Sequence, residues 1–299
     1  MDNFLLIIIT IFIGYCLQKL KIFPEQSPFV LNQFIINVSL PAMIILQVPK
    51  LSFNFDTLIP TVVAWIVMIV SALIVLLFAK VFKWNKEVTG SLMLVSILTN
   101  SSIMGVPIIN AYMGKEALPY VMIYDQLGSF IAFATYGTLI TAYYSVKGKF
   151  CPKVILSKVI TFPPFIALII SICFLGVQFH PYITNIITQL ANTLVPIALI
   201  AVGLQLQFKV PKKDIFPLSM ALLIKLIIAP LIAFSIVYSL DWLNIAGKVS
   251  IFEAGMAPMI TAGVLATTAG LAPRLSTAIV GYGIMISFLT TAVIAKFIL

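Results

Sequence analysis

Ten apolar stretches, separated by short segments carrying lysine and proline, constrain this chain more than any motif does. They cover roughly residues 3–18, 31–48, 57–79, 89–113, 118–144, 160–178, 182–206, 216–239, 249–270 and 275–296. Each is close to the about 20 residues that a helix needs to cross a hydrocarbon layer. No water satisfies the backbone inside lipid, so an open chain can cross only as helix. Composition closes off the alternative: 62% of the 299 residues are apolar and 9% are charged, against about 25% charged in a soluble domain. A soluble fold of this length could not cover such a core. The expected fold class is an all-α polytopic membrane protein with ten transmembrane helices.

The basic residues orient the spans. The side reached after the first span holds Lys19, Lys21, Lys80, Lys83, Lys86, Lys147, Lys149, Lys153, Lys158, Lys209, Lys212, Lys213 and Arg274, and the other side holds Lys50, Lys115, Lys248 and Lys296. The first side is therefore expected to be cytoplasmic, in a multi-pass protein of the cell membrane with both termini outside the cytoplasm. The first span, "FLLIIITIFIGYCLQ", follows no basic n-region and ends in no small-residue cleavage site, so it is expected to be retained. The net charge of +9 does not point to nucleic acid, because the lysines fall between spans and form no patch interleaved with aromatics. Cys16, Cys151 and Cys173 make no C-x-x-C pair, so neither a disulfide framework nor a zinc site is indicated.

The chain repeats itself at an offset near 155. "NVSLPAMIIL" from Asn37 matches "NTLVPIALIA" from Asn192, with Asn four residues before Pro41 and Pro196. "DTLIP" at the start of span three matches "DIFP" at the start of span eight, and Pro107 in span four answers Pro258 in span nine. Five spans is an odd number, so the second half enters from the opposite side. The expected organisation is two inverted five-helix repeats, 1–146 and 160–299, joined by a cytoplasmic linker at 147–159. Inverted repeats are typical of secondary transporters, which place their substrate near the midplane on broken helices.

Spans four and nine are the expected broken, crossing helices. The first contains "LTNSSIMGVPIIN", where Pro107 removes a backbone donor, Gly105 adds flexibility and Asn100, Ser101 and Ser102 place three polar side chains at mid-depth. The second contains "EAGMAPMITAG", with Gly255, Met256, Pro258, Met259 and Thr261. A proline kink packed by small residues is the plainer interpretation of either alone; the pair in matching positions favours a transport site. Half-helix N-termini after each proline would aim positive ends at one place and favour a carboxylate. Asn37 and Asn192 join the expected substrate-binding set as the repeated asparagines.

Charges inside spans are expensive and usually mark pathways. Asp125 in span five is expected to hold a coupling proton or cation, with Gln126 beside it, and Lys225 in span eight to contact the anion or act as a switch. The plainer alternatives are a structural ion pair and a lysine that snorkels to the surface. Glu253, early in span nine, is read as lying at the outer mouth, and His180 in a solvated outer loop.

The stretch from Asn100 to Pro107, the "AGMAP" of span nine, the "NTLVPIALIAVGLQL" of span seven and the "KLIIAP" ending at Pro230 resemble the auxin efflux carrier family. The resemblance covers essentially the whole chain and implies ten spans in two inverted repeats, with spans four and nine crossing at the substrate. The long hydrophilic loop of the long plant members is absent. Short bacterial members, several associated with malate or malonate, resemble this chain better.

The expected function is secondary transport of a small organic anion, a dicarboxylate or an auxin-like acid, by alternating access. Its partners are the anion and the lipid bilayer, with a homodimer open and no nucleic acid. No cofactor is expected beyond a coupling proton or sodium ion. A cation-coupled symporter of bile-acid type is the alternative; it would need a denser set of acidic ligands. An intramembrane enzyme is disfavoured: an aspartyl protease needs two membrane aspartates, a metalloprotease needs H-E-x-x-H, and the single histidine is in a loop. A sensor without transport ranks last, because no soluble signalling domain is present.

Overall fold

A computed structural model describes residues 2–24, 26–50, 55–144, 160–177, 179–205 and 214–299. The expected linker at 147–159 lies outside the described residues. Those residues are helical throughout, apart from turns and one isolated backbone bridge.

The helices follow the apolar stretches in order. They are α1 (Asp2–Lys19), α2 (Ser27–Phe34), α3 (Leu40–Gln47), α4 (Ile59–Val81), α5 (Lys86–Val95), α6 (Val106–Met113), α7 (Leu118–Ile123), α8 (Thr138–Tyr144) and α9 (Pro163–Cys173). There follow α10 (Pro181–Asn192), α11 (Leu194–Gln205), α12 (Ile215–Leu223), α13 (Ala229–Ser239), α14 (Ile245–Ala254), α15 (Ile260–Thr268) and α16 (Pro273–Ile298). Among the described residues, five continuous helical stretches are long and apolar enough to cross a membrane: Ser27–Gln47, Phe55–Val81, Pro181–Leu204, Ile215–Ser239 and Pro273–Ile298. The stretches drawn as spans four and nine are each split in two. That drawn as span six contains a helix of 11 residues, Pro163–Cys173, about 16 Å at 1.5 Å per residue.

Several stretches contain wide π-turns. Ile35–Ser39, Ser101–Gly105 and Ile224–Ile228 each run directly into an α-helix whose second residue is a proline: Pro41, Pro107 and Pro230. A proline ring clashes with the carbonyl four residues earlier, and a widened turn ahead of it relieves that contact without ending the helix.

The outside of the molecule is apolar and the inside holds the polar groups, as lipid requires. Leu73, Phe12, Leu289 and Phe297 are exposed, while Ser91, Gln126, Lys225 and Glu253 are buried. Most of the helices pack in two groups, with α6 and α7 touching members of both or lying between them. α1, α2, α3, α9, α10 and α11 rest on one another, and α4, α5, α8 and α12 to α16 form the second group. α1 crosses α11 at glycine: a Cβ on Gly203 would lie 2.8 Å from the Cα of Gly14 and would overlap the Ile11 carbonyl. Small residues allow such backbone contact between membrane helices. At the centre of the first group the hydroxyls of Ser39 and Thr193 meet at 2.7 Å.

Candidate functional site

Two asparagine caps set up the centre of the second group. The side chain of Asn85 accepts from the Val88 amide at 2.9 Å, and that of Asn244 from the Gly247 amide at 3.0 Å. Each satisfies an orphan donor at a helix start. Each opens a helix of 10 residues, α5 and α14, and after each the chain leaves helical geometry.

The two interruptions bond to each other. The Asn100 amide donates to the Ala257 carbonyl at 3.0 Å, and the Met259 amide donates to the Leu98 carbonyl at 3.0 Å. Thr99 and Pro258 face each other across this short antiparallel bridge. They occupy its non-hydrogen-bonded position, where no donor is required of either residue. Proline is thus compatible with the bridge, and backbone groups freed from both helices find partners away from water.

Polar side chains ring the bridge. Lys225, the bulkiest of the fully buried side chains, donates from Nζ to the Thr99 hydroxyl at 2.5 Å and to the Ala254 carbonyl at 3.1 Å. Its Nζ therefore lies on the bridge itself and at the carbonyl end of α14, where the helix dipole favours positive charge. Asp125 receives the Ser101 hydroxyl on Oδ1 and the Gln126 amide on Oδ2, both at 2.5 Å. Trp65 donates to the Leu127 carbonyl at 3.0 Å. Beside it, Thr99, Tyr124, Gly128 and Ser129 help to line a cavity of about 20 Å³. That is room for about one water molecule.

Four buried side-chain atoms here have no hydrogen-bond partner: Asn100 Nδ2, Gln126 Oε1 and both carboxyl oxygens of Glu253. Orphaned polar atoms at this depth are costly. Their concentration around one bridge is the local signature of a site with ligand-binding capacity to spare. Residues 1–295 match the family described as membrane transport protein. The chain belongs to the auxin efflux carrier family of membrane transport proteins.

An uncharacterized transporter of Methanocaldococcus jannaschii is 28% identical over 277 residues, covering 89% of this chain and 88% of its own. An uncharacterized transporter of Methanothermobacter thermautotrophicus is 26% identical over 268 residues, covering 89% and 87%.

In this carrier-family chain the structure gathers most of the site residues expected from sequence. Asn100, Ser101, Ser102, Asp125, Gln126, Lys225, Gly255, Met256, Pro258 and Met259 all lie at or beside the bridge. Thr261 follows in the first turn of α15 and is half-buried. Asn37 and Asn192 are exposed, and Asn37 donates to the Gln33 carbonyl at 2.7 Å. At that crossing the meeting side chains are instead Ser39 and Thr193.

Pro107 does not make the first break. The chain leaves the helix at residues 96–100, and Pro107 sits buried at the second position of α6, directly after the widened turn Ser101–Gly105 that accommodates its ring. Gly105 has φ −62° and ψ −49°, ordinary helical values, so it supplies space rather than flexibility. A Cβ there would lie 2.7 Å from Glu253 Oε2 and would overlap Oε1. Lys225 and Asp125 do not pair: each is bonded to other groups.

Sequence reasoning placed Glu253 at the outer mouth. It is fully buried, nine residues past the Asn244 cap, or about 13 Å at 1.5 Å per residue. The cap at Asn244 was the signal that could have located it. Thr99 and Tyr124, also missed, carry no sequence signal of their own.

Proposed function

We propose that the chain is a secondary carrier for a small organic anion, a dicarboxylate such as malate or malonate or an auxin-like acid, working by alternating access. The observation that carries this reading is the bridge between Thr99 and Pro258: two interrupted stretches, one in each half of the chain, bonded to each other beside a buried lysine. Asn100 Nδ2 is an unused donor and Lys225 a buried cation, so a carboxylate arriving at the bridge meets a hydrogen-bond donor and an opposite charge. The N-terminal turns of the half-helices that follow the bridge add to the favourable potential.

Several observations support the accompanying architecture of two inverted five-helix repeats, 1–146 and 160–299, with ten spans. Asn85 and Asn244 begin equal half-helices, and Ser39 and Thr193 are 154 positions apart yet in contact. α1 packs on α11 while α9 packs on α3, so the first helix of each proposed half rests on the second stretch of the other. In this reading the group containing α1, α2, α3, α9, α10 and α11 is the scaffold, and the group holding the bridge moves against it. Both termini lie outside the cytoplasm of the cell that carries the protein in its membrane, following the lysine asymmetry. Coupling is to a proton or a sodium ion.

The test is binding and uptake with the purified protein. Thermal shift against malate, malonate and indole-3-acetate, followed by uptake into proteoliposomes, is expected to select at least one carboxylate. Asn100→Ala is expected to weaken its binding. Binding of neutral or cationic solutes in preference to all carboxylates would overturn the anion reading.

A further inference from the structure

We propose that Glu253 is the proton-carrying group of this carrier, and that a proton on its carboxyl accompanies the anion. The proposal rests on the anion-carrier reading above. Its starting point is geometric. Glu253 is fully buried and both its oxygens lack any hydrogen-bond partner, whereas the other buried acid among the described residues, Asp125, has both oxygens filled. The carboxyl packs against the bare Cα face of Gly105 on the opposite interrupted stretch. It therefore touches both elements of the crossing and stands one residue before Ala254, whose carbonyl receives Lys225 Nζ.

The chemistry of the seat selects the ligand. Hard metal cations collect a shell of oxygens, and Glu253 offers two oxygens facing a glycine. A proton needs one. Protonation forms an O–H bond on a carboxylate oxygen and removes the only charge on the group; release breaks that bond and restores it. No other atom has to be supplied.

Charge balance ties the proton to the anion. Among the described residues, ionisable groups within electrostatic reach of Glu253 include Asp125 and Tyr124, from the wide turn Tyr124–Phe130, and Lys225, from the wide turn Ile224–Ile228. With Asp125, Glu253 and Lys225 all ionised the cluster carries one net negative charge. An anion entering beside Lys225 would then oppose two buried carboxylates. One proton on Glu253 leaves Asp125 and Lys225 to cancel, and the anion enters a neutral site. Anion and proton thus enter and leave together. Asp125 already has both oxygens engaged by Ser101 and Gln126, hydrogen bonds that favour its charged form. This shifts the coupling role from Asp125, where sequence placed it, to Glu253.

Two measurements test the idea separately from the anion reading. Infrared difference spectroscopy of the purified protein, titrated without any substrate, is expected to show a buried protonated-carboxyl band that changes with pH. The band should be lost in Glu253→Gln, retained in Asp125→Asn, and displaced in frequency in Gly105→Ala, which alters the seat without removing an ionisable group. A titrating band that survives Glu253→Gln, or the absence of any titrating band in the unmutated protein, overturns the proposal whatever is transported. In proteoliposomes with malate as probe, an imposed pH gradient is expected to raise accumulation at least tenfold for the unmutated protein. Glu253→Gln should lose that response and its pH profile. A Glu253→Gln variant that still responds to the gradient overturns the proposal. Failure of the unmutated protein to move any carboxylate would count against the anion reading while the infrared result still decides on Glu253.

Discussion

Residues 96–105 and 255–259 share two main-chain hydrogen bonds, but their side chains divide the chemistry unequally. The first stretch brings Thr99, Asn100, Ser101 and Ser102, and through Ser101 it reaches Asp125. The second brings Gly255, Met256, Ala257, Pro258 and Met259, with no polar side chain until Glu253 on one flank and Thr261 on the other. The backbone is close to symmetric and the chemistry is not. Two stretches that break and bond to each other at one place need not supply the same part of a site. Here one half supplies hydroxyls, amides and an acid whose oxygens are filled. The other supplies a rigid turn, a lysine and an unpartnered acid.

The largest test of that division is Lys225→Ala. Lys225 holds the two stretches together, through the Thr99 hydroxyl on one and the Ala254 carbonyl on the other. Its removal leaves those acceptors unsatisfied and two buried carboxyls without a nearby cation. The expected loss of stability is about 3–5 kcal/mol, the usual penalty for removing one partner from a buried charged group. Denaturation in mild detergent measures it. A loss under about 1 kcal/mol would mean that the bridge stands without the lysine.

Two glycines, one on each interrupted stretch, sharpen the comparison. A Cβ on Gly105 meets the buried Glu253 carboxyl, whereas one on Gly255 meets Ile294 Cδ1 at 2.5 Å. Ile294 is half-buried and can turn aside. Overpacking a tight core costs about 1–3 kcal/mol, so Gly105→Ala is expected to fall in that range and Gly255→Ala below it. Equal losses would remove the special status of the Glu253 seat.

The two sides also differ in what they offer a ligand. Asn100→Ala is expected to weaken carboxylate binding by about 1–3 kcal/mol, the range for hydrogen bonds to charged groups. Met259→Ala should change it by less than about 1 kcal/mol, because Met259 serves the bridge through its main-chain amide. Calorimetry on both variants decides; a larger effect at Met259 would place the ligand on the opposite face.

Much of this was readable in the sequence because hydrophobic length and repetition survive without coordinates. The apolar stretches, the paired interruptions and the buried Asp125 and Lys225 came from counting alone. Besides the depth of Glu253, three things did not. Sequence assigns the first interruption to Pro107, but the widened turn ahead of Pro107 accommodates its ring within helix, and α5 ends at Val95, twelve residues before it. The backbone pairing of Thr99 with Pro258 depends on tertiary register, which periodicity does not encode. Asn37 and Asn192 fit the repeat offset, yet a repeated residue keeps its position along the helix and not its exposure, and both are exposed.

The smallest expected effect concerns the caps, where the two stretches should behave alike. Asn85 and Asn244 each accept one amide at nearly the same distance, 2.9 and 3.0 Å, and each opens a helix of 10 residues. Replacing a capping asparagine with alanine costs about 0.5–2 kcal/mol, and the two variants are expected to agree within about 0.5 kcal/mol if the halves are equivalent below the bridge. Asn244 carries the further duty of fixing where α14 starts, and so how deep Glu253 lies. Asn244→Ala should therefore also loosen the register of Glu253 against Gly105, which hydrogen exchange along α14 would report as faster opening of its first turn. Asn85→Ala has no buried acid downstream and should fray α5 without touching the crossing. If both variants disturb Glu253 equally, the acid is held by the bridge and not by the helix that carries it.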